Sequence, residues 1–125
     1  MAQNAKPPAR TGPRLLSRPK LKLNANVTFE ITDPYGTITP SGDDEHQHVT
    51  WKAEVTNSGS TKLDILTSDA VLQTADGQQF FLIGYQPVSP RSSRKVNLSY
   101  EVPVGAVPEK LTVRLGGGSV DIKVA

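Results

Sequence analysis

Apolar and polar residues alternate along much of the chain, and the clearest alternation begins at Val49. Val49, Trp51, Ala53 and Val55 are apolar, whereas the residues between them are polar. Alternate side chains of a strand lie on opposite faces, so this pattern predicts a β-strand with one buried face. Trp51, the single tryptophan of the chain, is expected on that buried face.

Four short segments carry the glycine, proline, asparagine and aspartate chemistry of tight turns. They are residues 33–36, 57–59, 76–77 and 116–118. The segment 57–59 predicts a hairpin that returns through Leu63 and Ile65. Asp76-Gly77 predicts a second hairpin, and the three glycines at 116–118 predict a third.

The remaining alternation fills the space between these turns with strands. The apolar positions from Leu21 to Ile31 predict two short strands, or one strand bent near Asn24. Further alternation covers 96–102, 111–115 and 120–124, and no amphipathic helix is indicated. Turn signals about every 8–12 residues predict an all-β, immunoglobulin-like antiparallel β-sandwich of about seven to nine strands.

The first 20 residues differ from the rest in composition. They contain prolines at positions 7, 8, 13 and 19, and their bulky apolar residues are Leu15 and Leu16. Proline removes a backbone donor and fixes φ, which disfavours a helix or a central strand. The sequence therefore predicts an extended N-terminal arm over 1–20 and a sandwich over 21–125, whose unfolding temperature should not depend on the arm.

The net charge of +2 is unevenly distributed along the chain. Residues 1–22 carry six basic residues and no acidic one, whereas residues 23–125 carry a net charge of −4. A basic arm favours an acidic protein partner, such as a capsid or other copies of this chain. The predicted partner-binding residues are Lys6, Arg10, Arg14, Leu15, Leu16, Arg18 and Lys20. A disordered tail that only solvates the protein is the alternative.

A polar segment before Val49 holds both histidines of the chain. His46 and His48 are two residues apart, so they are expected on one face of a strand, and acidic residues precede them. Zinc and copper accept imidazole and carboxylate ligands, which makes His46, His48 and Asp44 candidate metal ligands. The alternative is a solvated strand edge, because His48 lies on the face opposite Trp51, and we expect no cofactor.

Other function classes lack their sequence signals. No serine lies in a Gly-x-Ser-x-Gly turn, and neither a Lys-Ser/Thr pair nor a helix signal follows the glycines at 116–118, so we expect no enzyme. The absence of cysteine excludes disulfides. No apolar run approaches the roughly 18 residues of a membrane span. Nucleic acid is disfavoured as a partner because the arm lacks aromatic residues that stack on bases.

From about Lys22 onward, the sequence also resembles a known group of proteins. The residues that carry the resemblance are Val49–Gly59, Leu72–Phe80, Pro87–Pro103 and Lys110–Val113. They resemble bacterial immunoglobulin-like domains of uncharacterised function related to the mycobacterial immunoprotective extracellular protein. The resemblance implies an immunoglobulin-like sandwich, usually on the outer side of a bacterial membrane.

Together these features predict a non-catalytic structural or interaction module. Our first interpretation is an accessory subunit, a decoration or stabilising protein that docks through its arm on a larger assembly such as a virion. The alternative is an extracytoplasmic bacterial immunoglobulin-like binding module whose signal sequence is absent. A third interpretation is a metal-binding or nucleic-acid-binding domain. The expected location is accordingly a virion or the bacterial cell envelope and its exterior.

Overall fold

The described part of the chain, residues 10–17 and 19–124, is built almost entirely of antiparallel strands in this computed structural model. Its eleven strands are β1 (Arg10–Arg14), β2 (Lys20–Asn24), β3 (Val27–Pro40), β4 (His46–Asn57), β5 (Leu63–Ile65), β6 (Ala70–Thr74), β7 (Gln79–Phe81), β8 (Gln86–Val88), β9 (Ser92–Pro103), β10 (Pro108–Leu115) and β11 (Gly118–Lys123). One turn of 3-10 helix, Thr67–Asp69, separates β5 from β6.

The strands form two main sheets. The first has the order β1-β3-β4-β9, with β2 also paired to β3, and the second has the order β11-β10-β6-β7. Strands β5 and β8 pair with each other in a small third sheet. The predicted antiparallel sandwich is confirmed. It has more strands than expected because the N-terminal segment contributes β1 and because residues 86–88 form β8, which pairs with β5.

The predicted buried faces form the core between the two main sheets. Trp51 on β4 and Tyr100 on β9 are both fully buried, and their rings meet edge to face with centroids 6.3 Å apart. The hydroxyl of Tyr100 donates a hydrogen bond of 3.0 Å to the carbonyl oxygen of Ala70 on β6. This bond connects the first sheet directly to the second.

Residues 10–17 and 19–20 of the predicted arm belong to the sandwich, whereas residues 1–9 and 18 lie outside the described part of the chain. Strand β1 pairs with β3, and Leu15 is only 2% exposed in the core. The Leu15 N–H donates to the carbonyl oxygen of Pro34, and the Leu16 N–H donates to that of Lys123 on β11, each at 2.8 Å. Proline is tolerated in β1 because β1 is an edge strand. Leu15 therefore anchors the segment to its own sandwich, so it is not available as an anchor on a partner.

The predicted turn at 33–36 lies inside β3 and does not reverse the chain. Asp33 accepts the local hydrogen bond from the Tyr35 N–H at 2.9 Å, but the pairing register with β4 shifts on both sides of Asp33. The turn chemistry therefore produces a bulged strand. Beside the bulge, the Trp51 indole N–H donates to the Pro13 carbonyl oxygen at 2.9 Å.

The predicted hairpin at 57–59 is also wrong. Strand β4 pairs with β3 and β9, whereas β5 pairs with β8. Asn57 is buried, and its amide donates to the carbonyl oxygens of Thr61 at 2.8 Å and Val88 at 3.3 Å. These bonds direct the chain away from the first sheet. Strand β5 does not pair with β4, because β3 and β9 already occupy both edges of β4.

The other hairpin predictions agree with the structure. Strands β6 and β7 are joined through Asp76-Gly77, where Gly77 has a φ of 88°. Strands β10 and β11 are joined at the glycines of 116–118. The alternating segment from Leu21 to Ile31 forms two strands, β2 and the start of β3, which agrees with the prediction of two short strands rather than one bent strand.

Candidate functional site

A cluster of titratable side chains lies where the loop before β4 meets the end of β9. In the antiparallel register, His48 lies opposite Glu101 and His46 lies opposite Pro103. Tyr100 and Val49 point into the core, so their neighbours Glu101 and His48 lie on the outward face of the first sheet. His46 shares that face because it is two residues from His48.

Asp43 completes this group, which we call the His–carboxylate cluster: Asp43, His46, His48 and Glu101. The Nδ1 atom of His46 lies 3.3 Å from each carboxylate oxygen of Asp43. The Nε2 atom of His48 lies 3.4 Å from Oε1 of Glu101. One ligand atom each from Asp43, His46 and Glu101 can be chosen so that all three lie within 4.8 Å of one another.

The Asp43 carboxylate is held in place by the backbone of its own loop. Its Oδ1 atom accepts hydrogen bonds from the N–H groups of Glu45 at 2.7 Å and His46 at 2.8 Å. The Glu45 N–H, followed by the interactions of His46, keeps the pKa of the Asp43 carboxyl below its usual value. Asp43 therefore presents a charged and oriented carboxylate toward the His46 ring.

The structure places the predicted metal ligands differently from one another. His46 and His48 lie in one cluster, but Asp44 does not belong to the group of converging ligand atoms. Asp43 takes its place because the loop turns the Asp43 side chain back onto His46. Glu101 was missed because it is 53 residues from His48 in the sequence. Alternation placed Glu101 on an outward face, but only strand pairing identified its neighbour.

A second feature is a row of cations on the outer edge of the first sheet. Arg14 on β1 and Lys20 and Lys22 on β2 are exposed, and none of these three forms an ion pair with another described residue. We call these three residues the basic edge. Charged side chains on an edge strand also discourage edge-to-edge strand pairing, which is the structural alternative to a binding role.

The other predicted arm residues are distributed differently. Leu16 is 57% exposed next to the buried Leu15. Arg10 contributes its backbone to β1, but its side chain lies outside the described part of the structure, as do Lys6 and Arg18.

Sequence reasoning also missed a group of exposed apolar side chains near β7. Leu66, Phe81, Ile83 and Tyr85 are each between 44% and 59% exposed. Their two segments are adjacent, since the Leu82 N–H donates to the Thr67 carbonyl oxygen and the Tyr85 hydroxyl donates to Asp64. Phe80 and Leu82 face the core, so their alternation with Phe81 and Ile83 is the signal that could have identified these two exposed side chains.

Among the described residues, no helix is long and apolar enough to span a membrane.

Comparisons with known proteins bear on the fold. No protein-family model matches the sequence, and no curated protein matches it. Among solved structures, the chain is similar to a "putative lipoprotein (ycdA)" from Bacillus subtilis subsp. subtilis str. 168, with a TM-score of 0.56 and 18% sequence identity. The likeness covers 80% of this chain and 36% of that chain. At this identity it shows a shared β fold, and this chain spans about a third of that protein's length.

Proposed function

We propose that this chain is a non-catalytic interaction module that binds an acidic protein surface through the basic edge. The observation that carries the proposal is the set of three exposed cations, Arg14, Lys20 and Lys22, which form no ion pair with the described residues. Cations that are not paired within their own protein are available to steer and orient an oppositely charged partner.

The arrangement of charges across the first sheet supports a binding role at this edge. Lys20 lies opposite Glu30 on β3, Glu30 lies opposite Glu54 on β4, and Glu54 lies opposite Lys95 on β9. The outward face therefore mixes both signs at its centre, whereas its β1–β2 edge presents only cations. An acidic partner gains most by approaching from that edge.

The test compares two triple variants of the full chain that have the same net charge. Arg14→Gln, Lys20→Gln and Lys22→Gln neutralise the basic edge, whereas Lys52→Gln, Lys95→Gln and Arg114→Gln neutralise three exposed cations elsewhere. Binding to immobilised polyglutamate is measured over a range of salt concentrations. We expect an affinity about ten-fold lower for the edge variant and little change for the control.

Two results would contradict the proposal. Equal losses in both triple variants would mean that net charge alone governs the interaction. Tighter binding of a single-stranded oligonucleotide than of polyglutamate at the same salt concentration would favour nucleic acid as the partner. Thermal unfolding of both variants establishes that any loss of binding is not a loss of folding.

A bacterial cell-envelope setting is our second proposal, and the fold likeness to a protein described as a lipoprotein favours it. The virion accessory role stays a prediction, and so does the resemblance to bacterial immunoglobulin-like domains related to the mycobacterial immunoprotective extracellular protein. Fractionation of source cells followed by immunodetection tests the setting. We expect the protein with the envelope or secreted fractions, and its recovery with phage particles would support the virion interpretation instead.

A further inference from the structure

We propose that Asp43, His46 and Glu101 form a surface binding site for a borderline divalent metal ion, with Zn²⁺ as its expected occupant. The proposed site is separate from the basic edge and does not depend on the interaction proposed for it. Three protein ligands leave a fourth position, which His48 or water can fill.

The distances in the cluster suit tetrahedral coordination. Zinc bonds of about 2.0–2.1 Å at tetrahedral angles place two ligand atoms about 3.3 Å apart. The His46 Nδ1 atom and the Asp43 Oδ2 atom are 3.3 Å apart. Glu101 is roughly half exposed, so its side chain can rotate to bring an oxygen from within 4.8 Å to bonding distance.

The two oxygens of the Asp43 carboxylate differ in their hydrogen bonds, and this difference also favours a bound cation. Oδ1 accepts both backbone hydrogen bonds, from the N–H groups of Glu45 and His46. Oδ2 accepts no backbone hydrogen bond from the described residues, and both oxygens lie 3.3 Å from the Nδ1 atom of His46, so Oδ2 is the oxygen left for a metal ion. The loop therefore orients Asp43 in the way that outer hydrogen bonds orient a carboxylate ligand in metal sites.

The donor set selects the class of metal. Imidazole nitrogen with carboxylate oxygen suits zinc, copper or nickel, whereas calcium and magnesium require mainly oxygen ligands. His48 lies outside the three converging ligands, but its Nε2 atom is 3.4 Å from Oε1 of Glu101, so rotation of its side chain toward them would let it replace water as the fourth ligand. A second imidazole moves the preference further from magnesium.

The test is calorimetric titration of the metal-free full chain with zinc chloride. We expect one ion per chain, with affinity reduced at least ten-fold in each of the variants Asp43→Asn, His46→Gln and Glu101→Gln. Asp43→Asn keeps an oxygen that can accept the backbone hydrogen bonds, so the loop should be preserved. Imidazole resonances of His46 in the NMR spectrum should shift on addition of zinc.

Asp44→Asn is the matched control, because Asp44 is an exposed neighbouring carboxylate outside the cluster. It should bind zinc as tightly as the wild-type chain, and His48→Gln should lose less affinity than His46→Gln. The proposal is overturned if zinc produces no heat at millimolar concentration or if Mg²⁺ binds as tightly. Equal effects of the Asp44 and Asp43 substitutions would also overturn it.

Discussion

At the scale of single residues, adjacent leucines have opposite environments. Leu15 is 2% exposed in the core, whereas Leu16 is 57% exposed. Both appeared equivalent in the sequence as anchors for a partner. The difference arises because the backbone of Leu16 bonds to β11, which fixes the segment so that the preceding side chain enters the space between the sheets.

This contrast predicts unequal effects of two matched substitutions on stability. Leu15→Ala leaves a cavity in the core and should lower the free energy of unfolding by about 2–5 kcal/mol. Leu16→Ala removes an exposed side chain and should change it by less than about 0.5 kcal/mol. Chemical denaturation measures both. Similar values for the two variants would contradict the burial of Leu15.

The same burial reverses an expectation about the whole N-terminal segment. Removing residues 1–20 would delete Leu15, strand β1 and the Pro13 carbonyl that accepts the Trp51 indole N–H. We therefore expect the truncated chain to unfold at a lower temperature. Truncation cannot separate docking from folding here, and for that reason the basic edge is tested by substitution.

At the scale of elements, the bulge in β3 lies beside a hydrogen bond between Trp51 on β4 and Pro13 on β1. Gly36 of the bulge lies against both of these residues. A Cβ atom at position 36 would be 2.9 Å from the indole nitrogen of Trp51 and 3.0 Å from the Pro13 carbonyl oxygen. The φ of Gly36 is not positive, so alanine is compatible with the backbone there. The absence of a side chain is needed for the contact rather than for the conformation.

Gly36→Ala should therefore weaken the link between β1 and β4. We expect a loss of about 1–3 kcal/mol, from crowding and from the broken hydrogen bond of a buried donor. Emission of Trp51, the single tryptophan, should shift to longer wavelength as water reaches the indole.

The control for this prediction is the same substitution in a Trp51→Phe variant. In a Trp51→Phe background there is no indole N–H to displace, so Gly36→Ala should cost less than in the wild-type chain. Denaturation followed by circular dichroism measures both backgrounds. An equal cost in the two backgrounds would mean that Gly36 acts through something other than the Trp51 contact.

At the scale of the whole molecule, Tyr100 connects the two sheets. Its ring packs against Trp51 within the core, and its hydroxyl bonds to Ala70 of the second sheet. Burial raises the pKa of the Tyr100 hydroxyl far above its ordinary value. The folded protein therefore keeps this proton at pH values where the unfolded chain, with a tyrosine pKa near ~10, releases it.

The higher pKa of Tyr100 in the folded state predicts that the free energy of unfolding decreases at alkaline pH. Below about pH 10 both states hold the proton, and above it the unfolded state holds fewer, so unfolding becomes more favourable as the pH rises. Tyr100→Phe should cost about 1–3 kcal/mol at neutral pH, because it leaves the Ala70 carbonyl without its partner.

The comparison with the Phe variant isolates the effect of Tyr100. Other titrating groups contribute equally to both proteins, so the stability difference between them should shrink as the pH rises above about 10. Denaturation curves at several alkaline pH values provide the measurement. A difference independent of pH would contradict the proposed protection of the hydroxyl.

The sequence alone determined most of the strands and which faces of those strands are buried. Trp51 and Tyr100 were placed correctly because alternation with a period of two is a local property of the chain. The Asp76-Gly77 hairpin was also predictable, since a short turn joins neighbouring segments and brings them into pairing.

Tertiary structure alone decided which strands distant in sequence meet. The pairing of β4 with β9 brings Glu101 to His48, and the contact of Leu16 with β11 buries Leu15. Neither follows from local pattern, because hydrogen-bond partners distant in sequence compete for the same strand edge. The turn chemistry at Asp33 and Asn57 formed its expected local bonds, but long-range pairing determined where the chain went next.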